Sequence, residues 1–364
     1  MNKQLLELSK VGQSVWYDNL SKAVLDSGEL KGLIEAGVTG LTSNPTIFKV
    51  AIADSNDYDS RLKELMQNTD NADDIAEELM IEDVSRAADL LLEVYNKSNA
   101  NDGYASIEVS PTLANDTEKT VEAGKRIWGK LNRKNIMIKV PATDAGIPAI
   151  QQLLESGINV NVTLIFSVDV YKKVVGAYKN AIKTRIENGE DASKVASVAS
   201  FFISRVDAIC EKEFSKSDDN SKFEKYIGKV GIANSKLAYK LFLEEFSKEN
   251  FDLDSAMVQK PLWASTGTKN PDFSKVLYVE ELSGLNTVNT MPPAVLEEVM
   301  KGAVIEDRVS KGLGEAKELI DSLLSDDIPF NELLLKLQED GVVSFANSYQ
   351  ELIDALKVKI EKFK

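Results

Sequence analysis

At 364 residues, with 43 basic against 58 acidic side chains, a net charge of −15 and 43% hydrophobic content, the chain is long enough for a large core and too acidic for nucleic acid or an anionic membrane as a general partner. It has no histidine, which removes Ser-His-Asp and Cys-His catalysis, histidine-ligated zinc and a histidine general base. Acid–base work falls to carboxylates, lysine, tyrosine or water. Cys210 is the only cysteine, read as plain core, so a disulfide within the chain and a thiolate metal cluster are both excluded and a reducing compartment is expected. The opening MNKQLLELSKVGQSVWYDNL lacks the apolar run of a signal peptide, and no stretch approaches the ~18 apolar residues of a membrane span. A soluble cytoplasmic protein is the expectation.

In chain order, short apolar or alternating runs read as strands: VWYD (15–18), VTGLTSN (38–44), ASIEVS (105–110), IMIKV (136–140), NVNVTLIF (159–166), VASVASFF (195–202), PLWAST (261–266) and VLYVEELSG (276–284), eight in all. Between them lie segments such as 117–131, 167–189 and 225–246, whose apolar spacing is nearer 3.6 than 2. Strand and helix alternate, and no glycine-rich dinucleotide fingerprint is present, which favours an α/β chain closed into a (β/α)8 barrel over an open doubly wound sheet. The long connections 51–104 and 206–260 read as helical insertions and 292–364 as further helices, all within one domain spanning 1–364.

NIMIKVPAT (135–143) sets a lysine, Lys139, inside an apolar run. Such a lysine can snorkel to water or pair with a carboxylate. A desolvated lysine also loses charge stabilisation, and its neutral amine is then a nucleophile able to form a Schiff base with a ketone. In a barrel, chemistry collects at the carboxyl ends of the strands, so polar residues late in the runs are the candidates: Asp18, Thr42 and Asn44, Glu108, Lys139, Asn161 and Thr163, Ser200 with Phe202 on its face, and Ser265. Each has a plainer alternative. Asp18 could cap a helix, Asn44 before Pro45 suits a turn, Glu108 could face solvent on an edge strand, and Thr163, Ser200 and Ser265 could be satisfied core hydroxyls. The set is harder to dismiss than its members, because unpartnered buried ionisable groups cost several kcal/mol.

The motifs WYDNLSKA (16–23), TSNPTIF (42–48), NIMIKVPAT, GINVNVTLIFS (157–167), SVASFFISRVD (197–207) and LNTVNTMP (285–292) together resemble the transaldolases, from about residue 11 onward and most nearly the longer bacterial branch. The resemblance implies a class I aldolase (β/α)8 TIM barrel, no metal or organic cofactor, and transfer of a dihydroxyacetone unit between sugar phosphates in the pentose phosphate pathway. It makes Lys139 the Schiff-base lysine and Glu108 and Asp18 the proton-transfer carboxylates. Thr163 helps to hold the catalytic water, and Asn44 and Asn161 hold substrate hydroxyls. Ser200, Phe202 and Arg205 join the substrate site, with Ser200 and Arg205 matching the phosphate-binding positions. Where many members carry an arginine after strand seven, WASTGTKN (263–270) offers Ser265 and Lys269; a lysine binds phosphate as a point charge without the arginine fork. The plain alternative for Arg205 is an ion pair with Asp207 or Glu211. Two other readings compete: a lyase on the same scaffold that frees dihydroxyacetone, and a non-catalytic phosphosugar-binding protein. The related fructose 6-phosphate aldolases are much shorter, with a tyrosine in the role of Glu108, so Glu108 favours the transferase. Monomer and homodimer are both open at this level.

Overall fold

The computed structural model describes residues 1–364 except Asp54, Asp218, Asn220, Asp254 and Ser255, which lie in the two long connections. Eight parallel strands close on themselves in sequence order: β1 (Gln13–Asp18), β2 (Gly40–Thr42), β3 (Ala105–Glu108), β4 (Ile136–Pro141), β5 (Val160–Ile165), β6 (Ser197–Phe202), β7 (Lys260–Ala264) and β8 (Thr287–Met291). Closure comes from β8 pairing with β1, Thr290 opposite Trp16 and Met291 opposite Tyr17. The chain is therefore a (β/α)8 barrel. β4, β5 and β6 are buried on both faces, as parallel strands under helices must be.

The eighth strand is a correction. VLYVEELSG forms a helix, Leu277–Glu281, and β8 lies ten residues on, inside LNTVNTMP. The buried positions Tyr278, Val279 and Leu282 have helical spacing. TVNTM, bounded by Asn286 in a left-handed turn (φ 57°) and by Pro292, is rich in β-branched residues but less apolar.

Helices form where the apolar period is 3.6. In Thr117–Leu131 the buried stripe Thr120, Val121, Gly124, Ile127 and Leu131 faces the barrel, Asp116 caps the start through its side chain and Asn132 ends it in a left-handed turn (φ 46°). The connection after β2 contains the helices Asp59–Leu65 and Ala72–Lys97; that after β6 contains Ser204–Phe214, a short turn Ser221–Tyr226 and Val230–Glu245. Beyond β8 come Pro293–Gly302, Leu313–Ser325 and the 34-residue helix Phe330–Phe363, whose one buried stripe includes Leu337, Gly341 and Phe345.

Inside the barrel, Trp16, Met137, Val198, Leu262 and Val288 belong to one apolar cluster that fills the amino-terminal half. Gly40 makes room for it: a Cβ there would lie 2.4 Å from the Trp16 ring. The Trp16 indole donates to Asp102 Oδ1 (2.8 Å), which fastens the plug to the loop before β3. Above it, Asn161 donates to Ser106 Oγ (3.1 Å) and accepts from Ser200 Oγ (2.7 Å). β5 then shifts register between Val162 and Ile165, with Leu164 at φ 58°, so one residue is accommodated without breaking the barrel.

Candidate active site

Lys139 points inward from β4 and is 5% exposed. Its Nζ donates to the Ser43 carbonyl at 3.0 Å and lies 3.3 Å from Glu108 Oε2, opposite it in the β3–β4 register. Asp18 ends β1 and accepts from Thr42 Oγ1 at 2.7 Å; that hydroxyl also meets Thr290 Oγ1 at 2.5 Å. Burial pushes both the Asp18 and Glu108 carboxyls above the ordinary carboxylate range, opposed in each case chiefly by the charge of Lys139. One ammonium group thus faces two carboxyl groups and cannot fully compensate both, which favours a proton on the carboxyl pair. An amine, an acid and a base within one buried cluster are the groups that imine formation requires.

Lys139 and Asp18 border a cavity of about 350 Å³ whose lining also includes Asn44, Thr163, Ser200, Phe202, Arg205, Ser265 and Lys269. Thr163 Oγ1 is buried with no hydrogen-bond partner among the described residues, although it borders the cavity; its plainer alternative as a satisfied core hydroxyl does not hold. Asn44 caps the helix Pro45–Phe48, Oδ1 accepting from Ile47 N at 3.0 Å, which leaves its amide nitrogen as the group it can offer. Asp18 is not a helix cap: Ser21 performs that task for the helix that follows.

Arg205 opens the helix after β6. Burial lowers its guanidinium from the usual value, and among the described residues no carboxylate acts in the opposite sense. The two acids near it in sequence are engaged elsewhere: Asp207 accepts from Gly231 N (2.8 Å) and Tyr278 Oη (2.7 Å), and Glu211 takes the Asn270 amide (3.4 Å). Arg205 instead lies 5.4 Å from the centre of the Phe202 ring. A largely buried cation without an anion of its own is a site for one brought by a ligand. Ser265, left-handed at φ 56°, and the exposed Lys269 join it on the loop after β7, and the Ser265 hydroxyl meets Ser204 Oγ at 2.9 Å.

An anion corner and a buried lysine between two carboxyls, in one barrel mouth, agree with what the chain is similar to. Residues 15–356 match the family model described as Transaldolase/Fructose-6-phosphate aldolase. The "Transaldolase 2" of Nostoc sp. (strain PCC 7120) is 42% identical over 371 residues, 98% of this chain and 97% of that one. The "Transaldolase" of Trichodesmium erythraeum is 39% identical, covering 100% and 99%, and that of Mycolicibacterium smegmatis 41%, also 100% and 99%. The chain belongs to the transaldolase/fructose-6-phosphate aldolase family.

Two expected site residues do not line the main cavity of this family member. Asn161 is fully buried one layer below, its amide committed to Ser106 and Ser200, so it supports the floor. Glu108 stands behind Lys139 and borders a small adjoining hollow with Asn44 and Tyr349. Sequence reasoning missed Thr290, whose strand was placed elsewhere, and Phe345, which reaches the cavity from the last helix with its ring centre 5.9 Å from Lys139 Nζ. Thr290 had a signal in the alternation of TVNTM; Phe345 had none beyond the apolar stripe of its helix.

Proposed function

We infer that the chain is a transaldolase, passing a dihydroxyacetone unit between sugar phosphates: sedoheptulose 7-phosphate and glyceraldehyde 3-phosphate give erythrose 4-phosphate and fructose 6-phosphate, reversibly, within the pentose phosphate pathway. Full-length likeness to transaldolases supports this, and the observation that carries it is the Lys139–Glu108–Asp18 cluster beside a carboxylate-free Arg205. In this reading Lys139 passes its proton to Glu108 and attacks the ketone carbon. Water leaves with a proton returned through Glu108 and a water on Thr163. The protonated imine is the electron sink, so no metal is needed for carbanion formation. Asp18 takes the proton from the hydroxyl on the carbon whose C–C bond breaks, the aldehyde departs, and an enamine stays on Lys139. The acceptor aldehyde is attacked by that enamine, and Asp18 returns the proton. Arg205 binds the phosphate as a fork, with Ser265 and Lys269 beside it and Ser200 and Phe202 shaping the wall; Asn44 holds substrate hydroxyls. No described helix is long and apolar enough to cross a membrane, and the single, buried thiol fits a cytoplasmic place of action.

With fructose 6-phosphate alone, the enzyme is expected to release about one equivalent of glyceraldehyde 3-phosphate per active site and then nearly stop, resuming when erythrose 4-phosphate is added. A rapid coupled triose phosphate assay at high enzyme concentration reads this; steady release without an acceptor, at the rate seen with one, identifies a lyase instead. Arg205→Ala should raise KM for phosphorylated sugars far more than for free dihydroxyacetone, since a charge-assisted contact contributes roughly 1.5–3 kcal/mol. Lys269→Ala should show the same selectivity more weakly. Equal losses on both substrates would place the phosphate elsewhere.

A further inference from the structure

The last helix crosses the barrel mouth with a single face. Gln338, Gly341, Phe345 and Ser348 are spaced three, four and three apart, as one helical stripe requires. Gln338 Nε2 donates to the carbonyls of Ala142 (2.8 Å) and Leu164 (3.2 Å), at the carboxyl ends of β4 and β5. Gly341 sits so close to the barrel that an added Cβ would lie 3.0 Å from Leu164 Cδ2 and 3.8 Å from Arg205. Ser348 Oγ meets Thr46 Oγ1 at 2.9 Å. Three contacts, at Gln338, Gly341 and Ser348, therefore hold the helix at fixed height, and the side chain hung between them is Phe345, 6% exposed with its ring centre 5.9 Å from Lys139 Nζ.

We propose that Phe345 is a specificity-determining residue that covers the enamine on Lys139 and so directs the three-carbon unit to transfer instead of release. The proposal rests on the Schiff-base reading above. Release needs a proton on the enamine carbon, then addition of water to the imine carbon and breakage of its bond to Lys139, which frees dihydroxyacetone and restores the amine. Both steps consume what water supplies. An aromatic ring over the nitrogen offers no acidic proton and occupies volume that water would take, while Arg205, at the start of the helix after β6, and Ser265 and Lys269, on the loop after β7, line the same cavity where a phosphorylated aldehyde would be held.

The experiment measures two rates in the full chain: triose phosphate release from fructose 6-phosphate alone, and transfer to erythrose 4-phosphate. Both are expressed per active site, counted by borohydride-trapped adduct on Lys139. In Phe345→Ala the ratio of release to transfer is expected to rise at least tenfold, and in Phe345→Leu, which keeps an apolar cover, to stay within about threefold of the parent. Gln338→Ala loosens the same turn without removing apolar volume and should raise the ratio too, which keeps the test valid if Phe345→Ala does not fold. Ratios unchanged in the folded variants, with both rates falling together, reduce Phe345 to packing and overturn the proposal. Absence of any adduct in the parent overturns the Schiff-base reading instead, so the two failures are distinguishable.

Discussion

Lys139→Met is expected to lose all turnover and all borohydride-trapped adduct while keeping the circular dichroism spectrum of the parent at neutral pH. Of the two lysines that line the cavity, Lys269 is exposed on the loop after β7 and only Lys139 is buried beside Glu108 and Asp18, so Lys269 is not placed to take over the electron sink. Peptide mapping that put the adduct on a different lysine would defeat the assignment. The substitution also has a pH-dependent cost with a definite sign. Asp18 and Glu108 already have raised folded-state pKa values, and Lys139 is the chief influence holding them down. Without it they rise further. A carboxyl whose folded pKa exceeds its unfolded value adds stability below the unfolded pKa and loses it as pH climbs through the folded one. The melting temperature of Lys139→Met should therefore fall relative to the parent as pH rises from mildly acidic to alkaline. A difference that stays constant across that range would mean the carboxyls are not coupled to the lysine.

Asp18→Asn and Glu108→Gln should each cost ~10²- to 10⁴-fold in kcat, the usual contribution of a positioned proton-transfer group. They should fail at different steps. Glu108→Gln slows adduct formation, because the proton needed for carbinolamine collapse is no longer delivered, whereas Asp18→Asn forms the adduct but does not cleave the C–C bond. Burst trapping at short times separates the two. In the parent, the acid limb of kcat/KM should lie above the ordinary carboxylate range, since Asp18 must be ionised to accept a proton and burial raises its pKa. An identical step blocked in both variants would merge the two roles into one.

Much of the barrel was legible because buried parallel strands under helices are short apolar runs, and seven of those runs became strands. The eighth was misplaced because hydrophobicity and β-propensity pointed one way and the pattern of burial another. VLYVEELSG is the more apolar segment, but it lies against the outside of the barrel as a helix turn, while TVNTM hides two inward positions, Val288 and Thr290, among polar letters. Strand alternation correctly turned Asp18, Glu108, Lys139, Asn161, Thr163 and Ser200 inward. It could not say how deep each would sit, since depth depends on the stagger between neighbouring strands, and Asn161 consequently lies beneath the cavity with its amide already engaged. The free guanidinium of Arg205 depended on where Asp207 and Glu211 would turn, which is decided by Gly231, Tyr278 and Asn270 on other elements. Phe345 required knowing that a distant helix returns over the mouth.

The indole of Trp16, seated where Gly40 leaves it room and tied to Asp102, makes the barrel a vessel and not a corridor. Nothing can exit through the floor, so donor, departing aldehyde and incoming acceptor share a single doorway on the carboxyl face. With Arg205 as the proposed phosphate site, two phosphorylated sugars cannot occupy that corner at once. The order of traffic follows from the masonry: the first aldehyde has to leave before the second enters, and initial rates measured at several fixed acceptor concentrations should plot as parallel lines in double-reciprocal form.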